Sequence, residues 1–159
     1  MNDVTVQRQL PRELVSSTSF LLKRLGFSAK EQAIDAYEAA GLHPYHHAIL
    51  AVVDEGERET QGEIADALGY DRGQLVGLLD ELEESELVER ERDKNDRRRQ
   101  IVRLTPAGRR ALAKARTLAA QLDDAFLGPL TPAQRNDLHR LLLRLAEEHL
   151  PACRLPSEK

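Results

Sequence analysis

The side chains most capable of chemistry in this sequence are cationic and clustered. Arg90, Arg92, Lys94, Arg97, Arg98, Arg99 and Arg103 are opposed locally only by Glu91, Asp93 and Asp96, an excess of +4. Directly upstream, Asp80, Glu81, Glu83, Glu84, Glu86 and Glu89 form an acidic block. Such a reversal of sign over about ten residues is a directional field suited to an anionic partner. It also suits a solvated hairpin carrying surface ion pairs. Two further polar residues, Arg72 and Gln74, stand at the predicted start of a helix, where backbone N–H groups attract phosphate. Arginine can read guanine and glutamine can read adenine in bidentate fashion.

Other candidate chemistry is thin. His43, His46 and His47 cluster, and His43 and His47 have the i, i+4 spacing of metal chelation. No cysteine is near them, and a structural or dimer-contact role is the simpler reading. The lone Cys153 makes no internal disulfide and excludes zinc motifs built on paired thiolates. It lies in a tail with no sign of a redox-sensing environment. No Ser/His/Asp set, carboxylate pair or phosphate-cradling glycine loop stands out, so no catalytic residue, cofactor or metal is expected. The chain is not read as an enzyme.

The elements that must position the cationic groups follow from capping and periodicity. The 159 residues suffice for one domain with arms, and 41% hydrophobic residues exclude disorder. Leu10, Leu14, Leu21, Leu22 and Leu25 mark a helix over 11–25, and Gly26 is placed to interrupt it. Ser28 and Glu31 look like a capping box restarting the helix to about Ala40, with Gly41 closing it. A third helical segment runs from His43 to Asp54. Thr60-Gln-Gly-Glu63 is another capping box, opening a short helix that Gly69 ends. Asp71-Arg-Gly-Gln74 opens the next, whose Leu75, Leu78, Leu79 and Leu82 form one buried stripe. Two capped helices joined by a tight Gly-containing turn are a helix-turn-helix. Strands over 87–92 and 100–104 flank the basic loop 93–99. Thr105-Pro-Ala caps a long helix, and Thr131-Pro-Ala-Gln134 caps the last.

With the leucine stripe inward, Gly73, Val76, Gly77, Asp80 and Glu84 fall on the outer face of the second helix of the pair. Gly73 and Gly77 each cost about 1 kcal/mol against alanine within a helix, a cost that close backbone approach to DNA would justify. Asp80 and Glu84 would repel phosphates, so the second half of that helix is expected to leave the groove. The basic loop has the length and charge of a wing, with Asp96 either paired to Arg97 or acting as a turn residue.

This order of elements resembles the MarR family of bacterial winged-helix transcriptional regulators. The residues that carry the likeness are Gln61-Gly-Glu-Ile-Ala-Asp-Ala-Leu-Gly-Tyr70, Leu82-Glu-Glu-Ser-Glu-Leu-Val-Glu-Arg90 and Asp96-Arg-Arg-Arg-Gln-Ile-Val-Arg-Leu-Thr-Pro-Ala-Gly108. The resemblance implies a mainly α fold with a small two- or three-stranded β-wing. It implies N-terminal dimerisation helices over 1–41, a winged helix-turn-helix over 42–105 and C-terminal dimerisation helices over 106–159. It also implies a homodimer on a pseudo-palindromic operator in duplex DNA, a repressor that in many members is released by a small, often aromatic or phenolic, effector. The residues it places at DNA are Thr60, Gln61, Arg72, Gly73, Gln74, Val76, Gly77, Lys94, Arg97, Arg98 and Arg99. By analogy Phe20, Arg24, Tyr45 and His46 line an effector pocket. Gly77, Glu81 and Glu86 depart from the family's pattern, Glu86 standing where a turn glycine is usual.

The start lacks the basic and apolar segments of a secretory signal, and no run approaches about 18 apolar residues, so a cytoplasmic protein without membrane contact is expected. The rival reading is a winged-helix interaction protein that has lost DNA and acts through protein partners, motivated by the acidic block.

Overall fold

The computed structural model describes residues 9–56, 60–150 and Cys153. The order of elements is α1 (Arg12–Val15), α2 (Thr18–Ala39), α3 (Pro44–Glu55), α4 (Gln61–Leu68), α5 (Arg72–Glu84), β1 (Val88–Arg92), β2 (Gln100–Leu104), α6 (Pro106–Phe126) and α7 (Pro132–His149). β1 and β2 pair antiparallel with Val88 opposite Leu104 and Arg92 opposite Gln100, and Thr60 adds a bridge to Ile101 near the loop end of the hairpin. This is a mainly α winged helix. No described helix is long and apolar enough to cross a membrane.

One hydrophobic core holds the winged module together. Ile49, Leu50 and Val53 of α3 meet Ile64 and Ala65 of α4, Leu75, Leu79 and Leu82 of α5, the hairpin residues Val88, Val102 and Leu104, and Leu112 of α6. Each helix contributes the stripe its periodicity dictates, and a buried Leu or Ile adds about 1.5–3 kcal/mol against exposure. The long helices differ. α7 buries nothing fully and α2 buries only Tyr37, whereas Leu14, Leu21, Leu25, Leu141, Leu145 and Leu150 stay exposed.

Local capping explains where elements begin, and corrects the sequence reading in the N-terminal arm. α2 is one continuous helix. Ser17 is its N-cap, accepting from the Phe20 N–H, and Ser28 lies mid-helix with its hydroxyl accepting from Gln32 Nε2. A Ser-x-x-Glu pattern makes a box only where the serine backbone is extended, and Gly26 costs too little to break an apolar face that keeps its phase on both sides. Gly41, at φ +69°, closes α2 in a Schellman motif, with Leu42 N–H bonding Tyr37 O and Gly41 N–H bonding Glu38 O. His43 caps α3 instead of lying within it, its Nδ1 accepting from Tyr45 N–H.

The base of the wing depends on Gly108. A Cβ there would lie inside van der Waals contact of the Leu87 carbonyl oxygen. α6 can approach this closely because Thr105 Oγ1 donates to Glu86 O at 2.6 Å and also accepts from the Gly108 N–H at 2.9 Å. Gly108 therefore locks the first turn of α6 onto the strand that leads into the wing.

Candidate nucleic-acid interface

Two helix starts and the wing converge on one cleft. Gln61, Gly62, Arg72, Val76, Arg98 and Arg99 are among its walls, and its volume is about 310 Å³. α4 begins with the complete capping box expected. Thr60 Oγ1 accepts from Glu63 N–H at 3.3 Å, and Glu63 Oε2 accepts from Thr60 N–H at 3.0 Å and from its hydroxyl at 2.8 Å. Thr60 is buried and its hydroxyl is engaged in this box, which leaves Gln61 half-exposed at the rim. At α5, Asp71 accepts from Gln74 N–H at 3.0 Å. Only this half of the box predicted there forms, so the Gln74 carboxamide makes no hydrogen bond among the described residues.

The outer face of α5 matches the leucine-stripe argument. Arg72, Gly73, Gln74, Val76 and Gly77 are all exposed, Val76 by 40%, while Leu75 and Leu79 are buried. The helix start offers unpaired N–H groups and a positive dipole end. The Arg72 guanidinium packs over Gly62, 3.7 Å from where a side chain there would begin.

The wing loop resolves its arginines into distinct roles. Asp96 pairs with Arg98, not Arg97. It accepts from the Arg98 N–H at 3.0 Å and from Nε at 3.1 Å, and these bonds hold its carboxyl below the usual range. The aspartate is thus the turn residue of an Asx-type loop, in which its oxygen reaches two residues on. Arg99 donates to Glu63 at 3.2 Å, fastening the loop to α4. Arg97 and Lys94 are exposed and have no partner among the described residues.

Three interactions here were not visible in the sequence. Arg90 of β1 bridges back to α5, with Nη2 2.6 Å from Asp80 and Nε 3.0 Å from Glu83. The hydrogen bond from Arg90 is the main cause that lowers the Glu83 carboxyl, and the bond to Glu83 raises the guanidinium in turn. Glu81 pairs with His46 Nε2 at 2.8 Å. Tyr37 OH lies 2.6 Å from His47 Nδ1 and 3.4 Å from Ala115 O, joining α2, α3 and α6. The three histidines thus point to three different partners. Among the described residues no group of three or more His, Cys, Asp or Glu side chains is placed to hold a metal.

The four residues assigned to an effector pocket are not brought into one cavity. Arg24 opens on an exposed face of α2 with Lys23, Phe27 and Lys30. Tyr45 packs edge-on against Tyr70 at a centroid distance of 5.7 Å, and His46 faces Glu81. Phe20 is half-buried one turn before Arg24. A larger apolar groove of about 590 Å³ runs between α2, α6 and α7, walled by Leu22, Leu25, Ala33, Tyr37, Leu122 and Phe126 among others.

Comparison with known proteins decides the lineage. The MarR family model matches residues 40–99. A putative transcriptional regulatory protein for the hcr operon of Thauera aromatica is 31% identical over 129 residues, 76% of this chain and 78% of that protein. This chain belongs to the MarR family. Among solved MarR-type structures, the transcriptional repressor CouR bound to a 23-mer DNA duplex is 32% identical, with a TM-score of 0.78 over 87% of this chain and 99% of that one. CouR from Rhodococcus jostii RHA1 bound to p-coumaroyl-CoA is 29% identical, with a TM-score of 0.70 over 86% and 96%. The winged helix built here from capping boxes and a leucine stripe is the MarR winged helix, and the chain is a transcriptional regulator of that family.

Proposed function

We propose that this regulator is a cytoplasmic repressor that binds a pseudo-palindromic operator as a homodimer and lets go when a small aromatic effector binds. The observation that carries the DNA reading is the convergence of the exposed first turn of α5 with the wing on one cleft. Gln74 reads a base, Arg72 reads a base or phosphate, and Gly73, Val76 and Gly77 let the backbone approach the groove. Within the loop, Arg97 and Lys94 have no acidic partner among the described residues and meet phosphate or minor groove, while Arg98 and Arg99 shape the loop. Thr60 orients α4, and Gln61 contacts the backbone.

Ion pairing inside the module weakens the rival reading of a protein that has lost DNA. Asp80 and Glu83 are turned to Arg90, so part of the acidic block is spent internally. The exposed leucines of α1, α2 and α7 supply the apolar face that a second copy would cover. The effector reading draws on CouR, which has been solved both with DNA and with p-coumaroyl-CoA. We assign the effector here to the aromatic acids and their thioesters, with the acyl end in the groove between α2, α6 and α7. Binding there shifts the spacing of the two α5 helices away from the ~34 Å of successive major grooves.

A gel shift with the region upstream of the chain's own gene, at stated salt, tests the core of this. Retardation that survives competitor DNA and protects two half-sites one helical turn apart is expected. No preference over random duplex would refute it.

A further inference from the structure

Glu63 serves two elements with one carboxylate. Its Oε2 accepts from the Thr60 N–H and hydroxyl and completes the cap of α4. Its Oε1 accepts from Arg99 Nη2 at 3.2 Å, across 36 residues of sequence. Arg99 is itself fixed in the turn that closes the wing loop. Its N–H donates to Asp96 O at 2.8 Å, and its carbonyl accepts from the Asp93 N–H at 3.0 Å. Beside this pair, Thr60 bridges to Ile101 of β2. The start of α4 and the loop end of the wing are thus joined by a carboxylate and a backbone bridge. Arg99 is 48% exposed and Glu63 45%, and an exposed pair adds little stability. Stability is therefore a weak account of it. Arg99 also walls the cleft beside Arg72 and Val76, so the pair decides where one cation of the reading surface stands.

We propose that Glu63 is a positioning residue for sequence discrimination: by holding the Arg99 guanidinium against α4 it fixes the wing relative to α5, and it gives up non-specific affinity in doing so. This inference rests on the DNA reading of the cleft and deepens it. A guanidinium free to swing follows the phosphates of any duplex, because contacts to the backbone carry no sequence information. A guanidinium tied to α4 cannot follow them. The wing then meets the duplex only in the placement that seats α5 in its groove, and sequences that seat α5 poorly lose both sets of contacts together. Glu63 touches no DNA in this account and acts through Arg99. The arrangement separates two properties that a purely structural residue would move in the same direction. Loss of the Glu63 charge raises affinity for arbitrary DNA while it lowers the preference for the correct site.

The test measures binding of the full-length protein to two duplexes, one selected by the parent from random sequence and one of random sequence, by fluorescence anisotropy at several salt concentrations. Glu63→Gln keeps a side-chain oxygen for the cap of α4, as glutamine does at this position of a capping box, and removes the charge that holds Arg99. A dimer releases two guanidiniums. On random duplex the salt slope should steepen by up to about 1.8, and affinity at about 0.15 M salt should rise by about threefold to thirtyfold. The preference for the selected duplex should fall by about threefold or more. Arg99→Gln should lower that preference by a similar factor without tightening random DNA, and adding E63Q to it should change the preference by less than about twofold. Random-duplex affinity that does not rise in E63Q, or that rises with the preference intact, would overturn the proposal. So would an E63Q effect on preference that is undiminished in the R99Q background, since Glu63 would then act without Arg99. If E63Q fails to fold, R99Q decides, and a preserved preference there overturns the proposal. If the parent itself prefers no duplex over random DNA, the DNA reading fails and takes this inference with it.

Discussion

Removing the side chains of Lys94 and Arg97 tests whether the wing meets DNA through the cations that the fold leaves unpaired. Each phosphate neutralised by a protein cation contributes about −0.9 to the slope of log K against log salt. At about 0.15 M salt one such contact carries roughly fivefold in affinity relative to 1 M. A dimer presents both residues twice, so the K94A/R97A variant loses at most four contacts. That predicts a slope shallower by up to about 3.6 and, at physiological salt, an affinity lower by up to about a thousandfold. Arg98→Ala is the informative control. Its guanidinium is bonded to Asp96, so removing it deletes a cation that already has a carboxylate partner and frees that carboxylate.

Fluorescence anisotropy on a labelled operator duplex, read at several salt concentrations between 50 and 300 mM (a range of about one Debye-length halving), measures both quantities. The expected order of slope loss is K94A/R97A well above R98A. An unchanged slope in the double variant would refute the assignment of the wing tip to phosphate. A larger loss from R98A than from the double variant would show that the pairing within the loop does not decide which arginine reaches DNA.

Further outcomes follow from the same geometry. Gln74→Ala should relax base preference at one position per half-site, worth about 1–3 kcal/mol of discrimination, in selection from random duplexes; recovery of an unchanged motif would remove Gln74 from base reading. Gly108→Ala forces a methyl group into the Leu87 carbonyl and should cost about 3 kcal/mol or more, a fall of about 10 °C in thermal unfolding. Glu86, a non-glycine residue at φ 57°, closes α5 in the left-handed conformation, so Glu86→Gly should stabilise by about 1 kcal/mol in urea unfolding. Burial, aided by Arg116, holds His47 below the usual imidazole value of about 6.5. The folded state then binds fewer protons than the unfolded one. That contribution to stability is complete above about pH 6.5 and is lost as the pH falls below it, and His47→Gln should flatten the dependence of the urea midpoint between pH 7.5 and 5.5.

What the sequence made legible was local. The box at Thr60, the cap at Thr131, the leucine stripe of α5 with Leu78 only half-buried, the proline-led start of α6 and the hairpin around the basic loop depend on neighbours a few residues away, and they form. The misreading in the N-terminal arm has a wider cause than its local pattern. Ser28 and Glu31 have the spacing of a box, yet the apolar side of α2 holds the helix through them. Of the two roles open to Asp96, the turn role is the one that forms, its carboxylate meeting Arg98 two residues on. The pairs Asp80–Arg90, Glu81–His46 and Tyr37–His47 span ten or more residues and have no periodicity to betray them.

The acidic block shows most clearly why this matters for function. Counted along the chain, residues 42–105 carry nine basic and sixteen acidic side chains, a poor prospect for binding a polyanion. Counted after folding, Asp80 and Glu83 answer Arg90, Glu63 answers Arg99 and Asp96 answers Arg98. Exposed pairs of this kind add little stability, about 0–1 kcal/mol each, so energetic gain is a weak account of them. Their larger effect is on where the charge sits: carboxylates near the reading face are drawn to arginines of the module, and among the described residues Arg72, Lys94 and Arg97 have no acidic partner. A phosphate approaching the cleft meets that remainder rather than the formal charge of the chain. An Arg90→Gln substitution, which releases Asp80 and Glu83, should therefore weaken DNA binding although Arg90 itself touches none. If R90Q folds and binds with unchanged affinity and salt slope, internal pairing is not what makes this face cationic.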